Sequence, residues 1–124
     1  MDAAQAIADL TEISPQVQRV VVIAADGSIV GSNADPAAAK KLVDGATQLI
    51  GAAEERRPGV SQLEAATVSG SVFVVRDADR LIAATTSPEP TVGLVFYDLK
   101  TCLRAIGEPK PKAAAKKKVD DAAA

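Results

Sequence analysis

The chain has 124 residues, 48% of them apolar, and a formal net charge of −2. This length suits one domain with one core. One cysteine and no histidine exclude an intrachain disulfide, a cysteine-based zinc site and histidine as a general base. No basic region with a following apolar run begins the sequence, and no apolar stretch approaches the roughly 20 residues that span a bilayer. We therefore expect a cytoplasmic protein without a membrane span.

The charge is divided between a body and a tail. Residues 1–107 carry 9 basic and 13 acidic side chains, whereas residues 108–124 carry 5 lysines and 3 acidic residues. The tail reads EPKPKAAAKKKVDDAAA, and its low apolar content predicts a disordered segment that follows a single domain at residues 1–107.

The first half of the body predicts a helix and a hairpin. Spacing of apolar residues predicts a short amphipathic helix over residues 2–12, which Ser14-Pro15 ends. An apolar strand over residues 17–25 follows. Because most of this strand is apolar without alternation, we expect both of its faces to be covered. Asp26-Gly27 predicts a tight turn into a short return strand over residues 28–32.

The longest helix signal covers residues 35–58. Asp35 suits the N-cap, and Pro36 suits the first helical position, where a missing N–H costs nothing. The apolar residues recur at helical spacing and form one stripe: Leu42, Val43, Ala46, Leu49, Ile50 and Ala53.

Small residues along this helix indicate a close neighbour. Gly45 and Gly51 each cost roughly 1 kcal/mol relative to alanine in a helix interior. We therefore predict that the same helix of a second subunit packs here. The strand that follows is weakly apolar, as an edge strand is, and an open edge is prone to pairing. The predicted dimer interface consists of Leu42, Gly45, Ala46, Leu49, Ala53, Leu63 and Ala65.

The polar residues of the same helix form a predicted partner-binding platform: Lys40, Lys41, Asp44, Gln48, Glu55 and Arg56. A plain solvated face is the alternative interpretation. Arg56 and Arg57 also suggest an arginine finger for a GTPase, but cations that complement the helix C-terminus are the simpler explanation.

The second half predicts a meander and a final helix. The predicted strands cover residues 61–69, 72–75 and 81–86. Tight turns are expected at Ser69-Gly70-Ser71 and at Ala78-Asp79. Thr91 can cap a helix that continues to Ile106 and carries Cys102, which we expect to be a buried structural thiol.

The resulting order is α-β-β-α-β-β-β-α, which indicates an α+β fold with one antiparallel sheet between helices. This order resembles the roadblock/dynein light chain family. Three segments carry the likeness: VVVIAADGSIVGS (residues 20–32), SGSVFVVRDADRLIAATT (69–86) and PTVGLVFYDLKTCLRAI (90–106). The resemblance covers about residues 5–106 and implies a profilin-like or longin-like fold, with one five-stranded sheet in the order 2-1-5-4-3.

The resemblance also implies a function. Members of the family usually dimerise through their long helices and third strands, and they regulate or scaffold nucleotide-driven switches. The expectation is a homodimer that binds a small Ras-like GTPase, with no enzymatic activity of its own. A scaffold without effect on GTP hydrolysis is the alternative.

No phosphate-binding loop motif is present, and we expect no cofactor, metal site or catalytic residue. A further alternative is contact with nucleic acid or an anionic surface through the tail lysines. These are Lys110, Lys112, Lys116, Lys117 and Lys118. Without aromatic residues among them, a solubilising tail is the preferred interpretation.

Overall fold

A computed structural model describes residues 1–107, and the predictions for residues 108–124 lie outside this part of the chain. Its eight elements follow the predicted order. They are α1 (Ala3–Ile13), β1 (Val17–Ile23), β2 (Ile29–Ser32), α2 (Pro36–Arg56), β3 (Gln62–Thr67), β4 (Gly70–Asp77), β5 (Arg80–Thr86) and α3 (Val92–Gly107).

The five strands form one antiparallel sheet in the order β2-β1-β5-β4-β3, which confirms the predicted topology. One row of paired residues crosses it from Val21 through Ala83 and Val74 to Leu63. Because successive residues of a strand alternate between faces, the residues of one such row share a face of the sheet. The side chains of this row belong to the cluster that packs against α2.

Helices cover both faces of the sheet. On one face, α1 and α3 bury a core that includes Ile7, Leu10, Val20, Val22, Phe73, Ile82, Leu99 and Leu103. Phe73 and Phe96 meet edge to face with ring centroids 4.9 Å apart. On the other face, α2 is the one helix that residues 1–107 supply, and it forms a smaller cluster with the sheet: Val21, Ile23, Leu42, Ala46, Ile50, Val74 and Ala83.

Two of the three predicted turns are confirmed. At the first, Asp26 accepts hydrogen bonds from the Ser28 amide (3.0 Å) and hydroxyl (2.6 Å), and these bonds lower the pKa of Asp26. At the last, Ala78 has a φ of 58°.

The predicted turn at residues 69–71 was wrong. The turn consists of Val68-Ser69, because Gly70 already pairs with Thr67 as the first residue of β4. The Thr67 hydroxyl donates to the Gly70 carbonyl at 2.7 Å and closes this hairpin.

Gly70 cannot be replaced without strain. Its φ is 148°, and an added Cβ would lie 2.1 Å from the Thr86 carbonyl oxygen of the neighbouring strand. We expect Gly70→Ala to lower the free energy of unfolding by on the order of 3 kcal/mol, since the backbone must move. Urea denaturation measures this loss.

Gly93→Ala is the matched control, because an added Cβ at Gly93 meets no atom within 4 Å. If both variants unfold at the same urea concentration, the close approach of Gly70 to β5 is wrong.

Candidate interaction surface

Helix α2 is held at both ends by local hydrogen bonds. The Asp35 carboxylate accepts from the Ala38 amide at 2.8 Å, and Pro36 begins the helix, as predicted. At the other end, the Arg57 amide donates to the Ala53 carbonyl at 2.8 Å. The buried residues Ala39, Leu42, Ala46 and Ile50 face the sheet.

Two residues predicted for the dimer interface belong instead to the core of the protomer. Leu42 is 8% exposed and Ala46 is 0% exposed, and both pack on the sheet in the α2-side cluster. The reason is that, among residues 1–107, α2 is the only helix on this face, so its most apolar stripe must cover the central strands. Neither side chain is available to a second subunit.

Beside this buried stripe lies a small-residue flank, which we define as Gly45, Leu49, Ala52 and Ala53. Gly45 and Ala52 are exposed, while Leu49 and Ala53 are half-buried. Their spacing places them along one side of the helix. A Cβ added to Gly45 would meet no atom within 4 Å. No contact among residues 1–107 therefore requires a glycine at this position.

The sheet beside α2 is incompletely covered toward β3. Leu63 and Ala65 pair with Val74 and Val72, lie on the α2 face and are half-buried. Because α2 crosses the central strands, this side of the sheet keeps apolar surface in contact with solvent.

Strand β3 is also an edge strand, since it pairs only with β4 within residues 1–107. The Arg76 amide donates to the Ser61 carbonyl at 2.8 Å. Backbone groups alternate in direction along an antiparallel strand, so Gln62, Glu64 and Ala66 direct their N–H and C=O groups to the open edge. Such an edge is a template for pairing with another strand.

The six residues predicted to bind a partner are all exposed on α2: Lys40, Lys41, Asp44, Gln48, Glu55 and Arg56. Lys40 and Asp44 form an ion pair of 3.6 Å with side chains 77% and 58% exposed. A pair in such contact with water adds little to stability. Both side chains can therefore exchange this ion pair for contacts with a partner at little cost.

Glu54 has a structural role that sequence reasoning missed. Its carboxylate accepts from the Gly59 amide (2.8 Å), the Val60 amide (3.3 Å) and the Arg76 guanidinium (2.5 Å). Arg76 also donates to the Val60 carbonyl at 2.5 Å. The Gly59 amide and then Arg76 lower the pKa of Glu54. This network joins the end of α2 to β4 and to the loop before β3.

No catalytic arrangement emerges in the part of the chain that the structure describes. Within residues 1–107, no three His, Cys, Asp or Glu side chains lie together as a metal site would need. Cys102 is buried, as expected, and burial and then Asp9 raise its pKa to about 11. None of the three helices in this range is long and apolar enough to cross a membrane.

A five-stranded antiparallel sheet in this order, with two helices on one face and one on the other, defines a profilin-like fold of the roadblock type. Solved structures agree. A roadblock/LC7 domain from Streptomyces avermitilis superposes with a TM-score of 0.73 at 18% identity, covering 86% of this chain and 96% of that one.

Two further neighbours share the fold. The gliding protein MglB from Thermus thermophilus has a TM-score of 0.64 at 11% identity, with 84% of both chains covered. MglB is also known in a tetrameric arrangement. A Loki profilin, solved in complex with rabbit actin, has a TM-score of 0.59 at 12% identity and covers 85% of this chain and 94% of its own.

The resemblance to roadblock domains is therefore confirmed for the fold. No protein-family model matches the sequence, and no curated protein matches it.

The Glu54 network predicts a pH-dependent contribution to stability. Because the folded state lowers the Glu54 pKa, its stabilising effect is present at neutral pH and is lost as the pH falls below the ordinary value of 4.5. We expect Glu54→Gln to unfold at lower urea concentration than the wild type at pH 7. The urea concentrations at which the two proteins unfold should converge as the pH falls below this value.

Glu55→Gln removes the same charge from the exposed neighbouring position and is the control. A loss of stability at pH 7 that is equal in both variants would contradict the role assigned to the Glu54 contacts.

Proposed function

We propose that this chain is a homodimeric interaction module of the cytoplasm that binds and regulates a small Ras-like GTPase. The single observation that carries the proposal is that α2 keeps a small-residue flank without close packing on the sheet face where β3 has an open edge, both judged within residues 1–107. In an isolated protomer the flank lacks close packing and the strand edge lacks backbone hydrogen-bond partners. A second copy can supply both.

Helix packing is the first part of the dimer. Gly45 carries the helix-propensity cost of a glycine, roughly 1 kcal/mol, although an added Cβ would meet no atom within 4 Å in the described part of its own chain. Close packing of two α2 helices offsets this cost, because small residues let helix backbones approach. Leu49 and Ala53, half-buried in the protomer, become fully buried by the same contact.

Strand pairing is the second part. Two β3 strands that meet antiparallel satisfy the backbone groups of Gln62, Glu64 and Ala66 and join two sheets into one. The half-buried Leu63 and Ala65 then lie under the paired helices. The tetrameric arrangement of MglB, a protein with the same fold, supports self-association as a property compatible with this architecture.

Partner binding uses what the dimer leaves exposed. The polar platform of α2 carries both signs of charge, with Lys40 and Lys41 near one end and Glu55 near the other. In a dimer, two such platforms lie on one side of the assembly. The family resemblance indicates a Ras-like GTPase as the partner, and complementary charges at such a platform govern encounter rate and specificity.

Gly45→Glu tests the dimer directly. The carboxylate would lie unpaired between two helices, at a cost of roughly 3 kcal/mol, so we expect the dimer dissociation constant to rise on the order of 100-fold. Sedimentation or light scattering across a dilution series measures this change, and circular dichroism checks that the protomer remains folded.

Gly51→Glu is the matched control, since Gly51 is an exposed glycine of the same helix on the opposite side from the flank. It should remain dimeric. If Gly45→Glu dimerises as tightly as the wild type, the α2 helices do not form the dimer interface. If the wild type itself is a monomer, the proposed homodimer is wrong.

GTP turnover tests the partner. We expect the wild type to bind a small Ras-like GTPase from the same organism and to change its rate of GTP hydrolysis. Lys41→Glu should weaken binding about tenfold, since reversing one charge at an interface rim costs on the order of 1.4 kcal/mol. Lys100→Glu, which makes the same change on α3 across the sheet, should bind normally.

The outcomes separate the alternatives. Firm binding with unchanged hydrolysis selects the scaffold function. Loss of stimulation in Arg56→Ala with retained binding would indicate an arginine finger. A dimer that binds none of these GTPases contradicts the proposal.

A further inference from the structure

The loop between α2 and β3 connects the two places where a second copy of the chain is proposed to bind. Helix α2 ends at Arg56 and β3 begins at Gln62, so residues 57–61 separate them. The small-residue flank lies before this loop, and the open edge of β3 follows it. A loop without fixed contacts is mobile, and association would then have to order it, which costs conformational entropy. The order of this loop therefore bears on the strength of the proposed dimer.

Glu54 holds the middle of this loop from the last turn of α2. Its carboxylate accepts from the Gly59 amide at 2.8 Å and from the Val60 amide at 3.3 Å. The bond from the Gly59 amide and then the bond from Arg76 lower the pKa of this carboxyl. Glu54 is therefore ionised at neutral pH, and hydrogen bonds to an ionised acceptor are stronger than those between neutral groups.

Arg76 holds the same loop from β4. Its guanidinium donates to the Glu54 carboxylate and to the Val60 carbonyl, and its backbone amide donates to the Ser61 carbonyl at 2.8 Å. The side chains of Arg76 and Glu54 are 30% and 39% exposed, whereas those of the ion pair on the polar platform are 77% and 58% exposed. Because the Arg76–Glu54 pair is less exposed, salt screens it less. One helix residue and one strand residue thus fix three successive loop residues.

The two side chains lie outside the proposed contact surface. Glu54 and Gly45 are nine residues apart on α2, or about two and a half helical turns, so they lie on opposite sides of the helix. Thr47 lies on the side that carries Glu54, and with Arg76 it lines an open cavity of about 430 Å³ between α2 and the turns after β1 and β4. An effect of Glu54 or Arg76 on dimer formation must therefore pass through the loop.

We propose that Glu54 and Arg76 are positioning residues of the dimer: by fixing residues 57–61, they hold the α2 flank and the β3 edge in the relative position at which a second copy can bind both. The inference rests on the proposed function, since it concerns the same interface. Without this network the loop becomes ordered only on association, so each subunit loses conformational freedom at that step. The dimer is then weaker although its contact residues are unchanged.

Arg76→Gln tests the proposal in the full chain. Glutamine is uncharged and shorter than arginine, so it cannot replace the guanidinium between the Glu54 carboxylate and the Val60 carbonyl. We expect the dimer dissociation constant to rise on the order of tenfold, since ordering even one backbone residue on association weakens binding by about this factor. Sedimentation or light scattering across a dilution series measures the change, and circular dichroism checks that the protomer remains folded.

Arg80→Gln is the matched control. Arg80 begins β5, and its guanidinium donates to the Leu103 carbonyl of α3 at 3.2 Å, on the other face of the sheet. The control removes the same charge and a hydrogen bond to a backbone carbonyl, but it leaves the contacts of the α2–β3 loop in place. It should dimerise like the wild type. If Arg80→Gln weakens the dimer as much as Arg76→Gln does, a general loss of stability explains both effects and the positioning role is wrong.

A double-mutant cycle shows whether the two residues act through one loop. Glu54→Gln should also weaken the dimer, and it provides the same test if Arg76→Gln does not fold. The variant with both substitutions should be little weaker than either single variant, because residues in one network are not additive. Arg76→Lys keeps the charge without the planar fork of donors, so its dissociation constant should lie between those of the wild type and Arg76→Gln.

Hydrogen exchange reports on the loop without the dimer. In the Gly45→Glu background, which separates the subunits, the amides of Gly59 and Val60 should exchange faster after Arg76→Gln and keep their rates after Arg80→Gln. This measurement shows whether the network orders the loop within one protomer.

The outcomes separate this inference from the proposed function. A wild type that is a monomer at every concentration contradicts both. If Gly45→Glu dissociates the dimer but neither Arg76→Gln nor Glu54→Gln weakens it, the proposed interface stands and the positioning role is wrong. Fully additive effects of the two substitutions, or unchanged exchange of both loop amides, overturn the positioning role as well.

Discussion

Both faces of the central strands are apolar, and this constraint shapes the rest of the molecule. Strand β1 buries Val20 and Val22 on one side and Val21 and Ile23 on the other, so neither face can meet water. In the described part of the chain, two helices cover one face and a single helix covers the other. A helix is about 10 Å wide, whereas five strands at about 4.8 Å spacing span more than 19 Å. One helix cannot cover such a sheet, which explains the half-buried residues near β3.

Incomplete cover gives the two faces different chemistry. On the α2 side, exposed apolar area continues into a strand edge with unsatisfied backbone groups, a combination that suits a partner able to offer both a helix and a strand. Glu54 and Arg76 hold the end of α2 against β4 and the loop before β3. These bonds fix the position of α2 relative to the start of β3. On the α1–α3 side, an apolar groove remains between the two helices, and Asp9 and Asp98 are among its lining residues.

The predicted elements agree with the structure where one local signal dominates. Asp35-Pro36 and Asp26-Gly27 are local signals, because a capping carboxylate and a glycine with positive φ act within a few residues. The turn after β3 was misplaced, since Gly70 was read as a turn residue. Its real role is to pass close to the Thr86 carbonyl of a neighbouring strand, a contact with a residue 16 positions away that no local pattern contains.

The apolar pattern of the chain already specified which residues avoid water, how many strands and helices they form and, through the family likeness, the order of strands in the sheet. It could not specify which apolar residues of α2 are buried within the protomer itself. Leu42 and Ala46 were assigned to a subunit interface, yet they cover the chain's own sheet, while Gly45 and Leu49 remain accessible. The physical reason is that periodicity defines the stripe of a helix but not its target. That target depends on which sheet face lacks another helix, and long-range packing alone sets this.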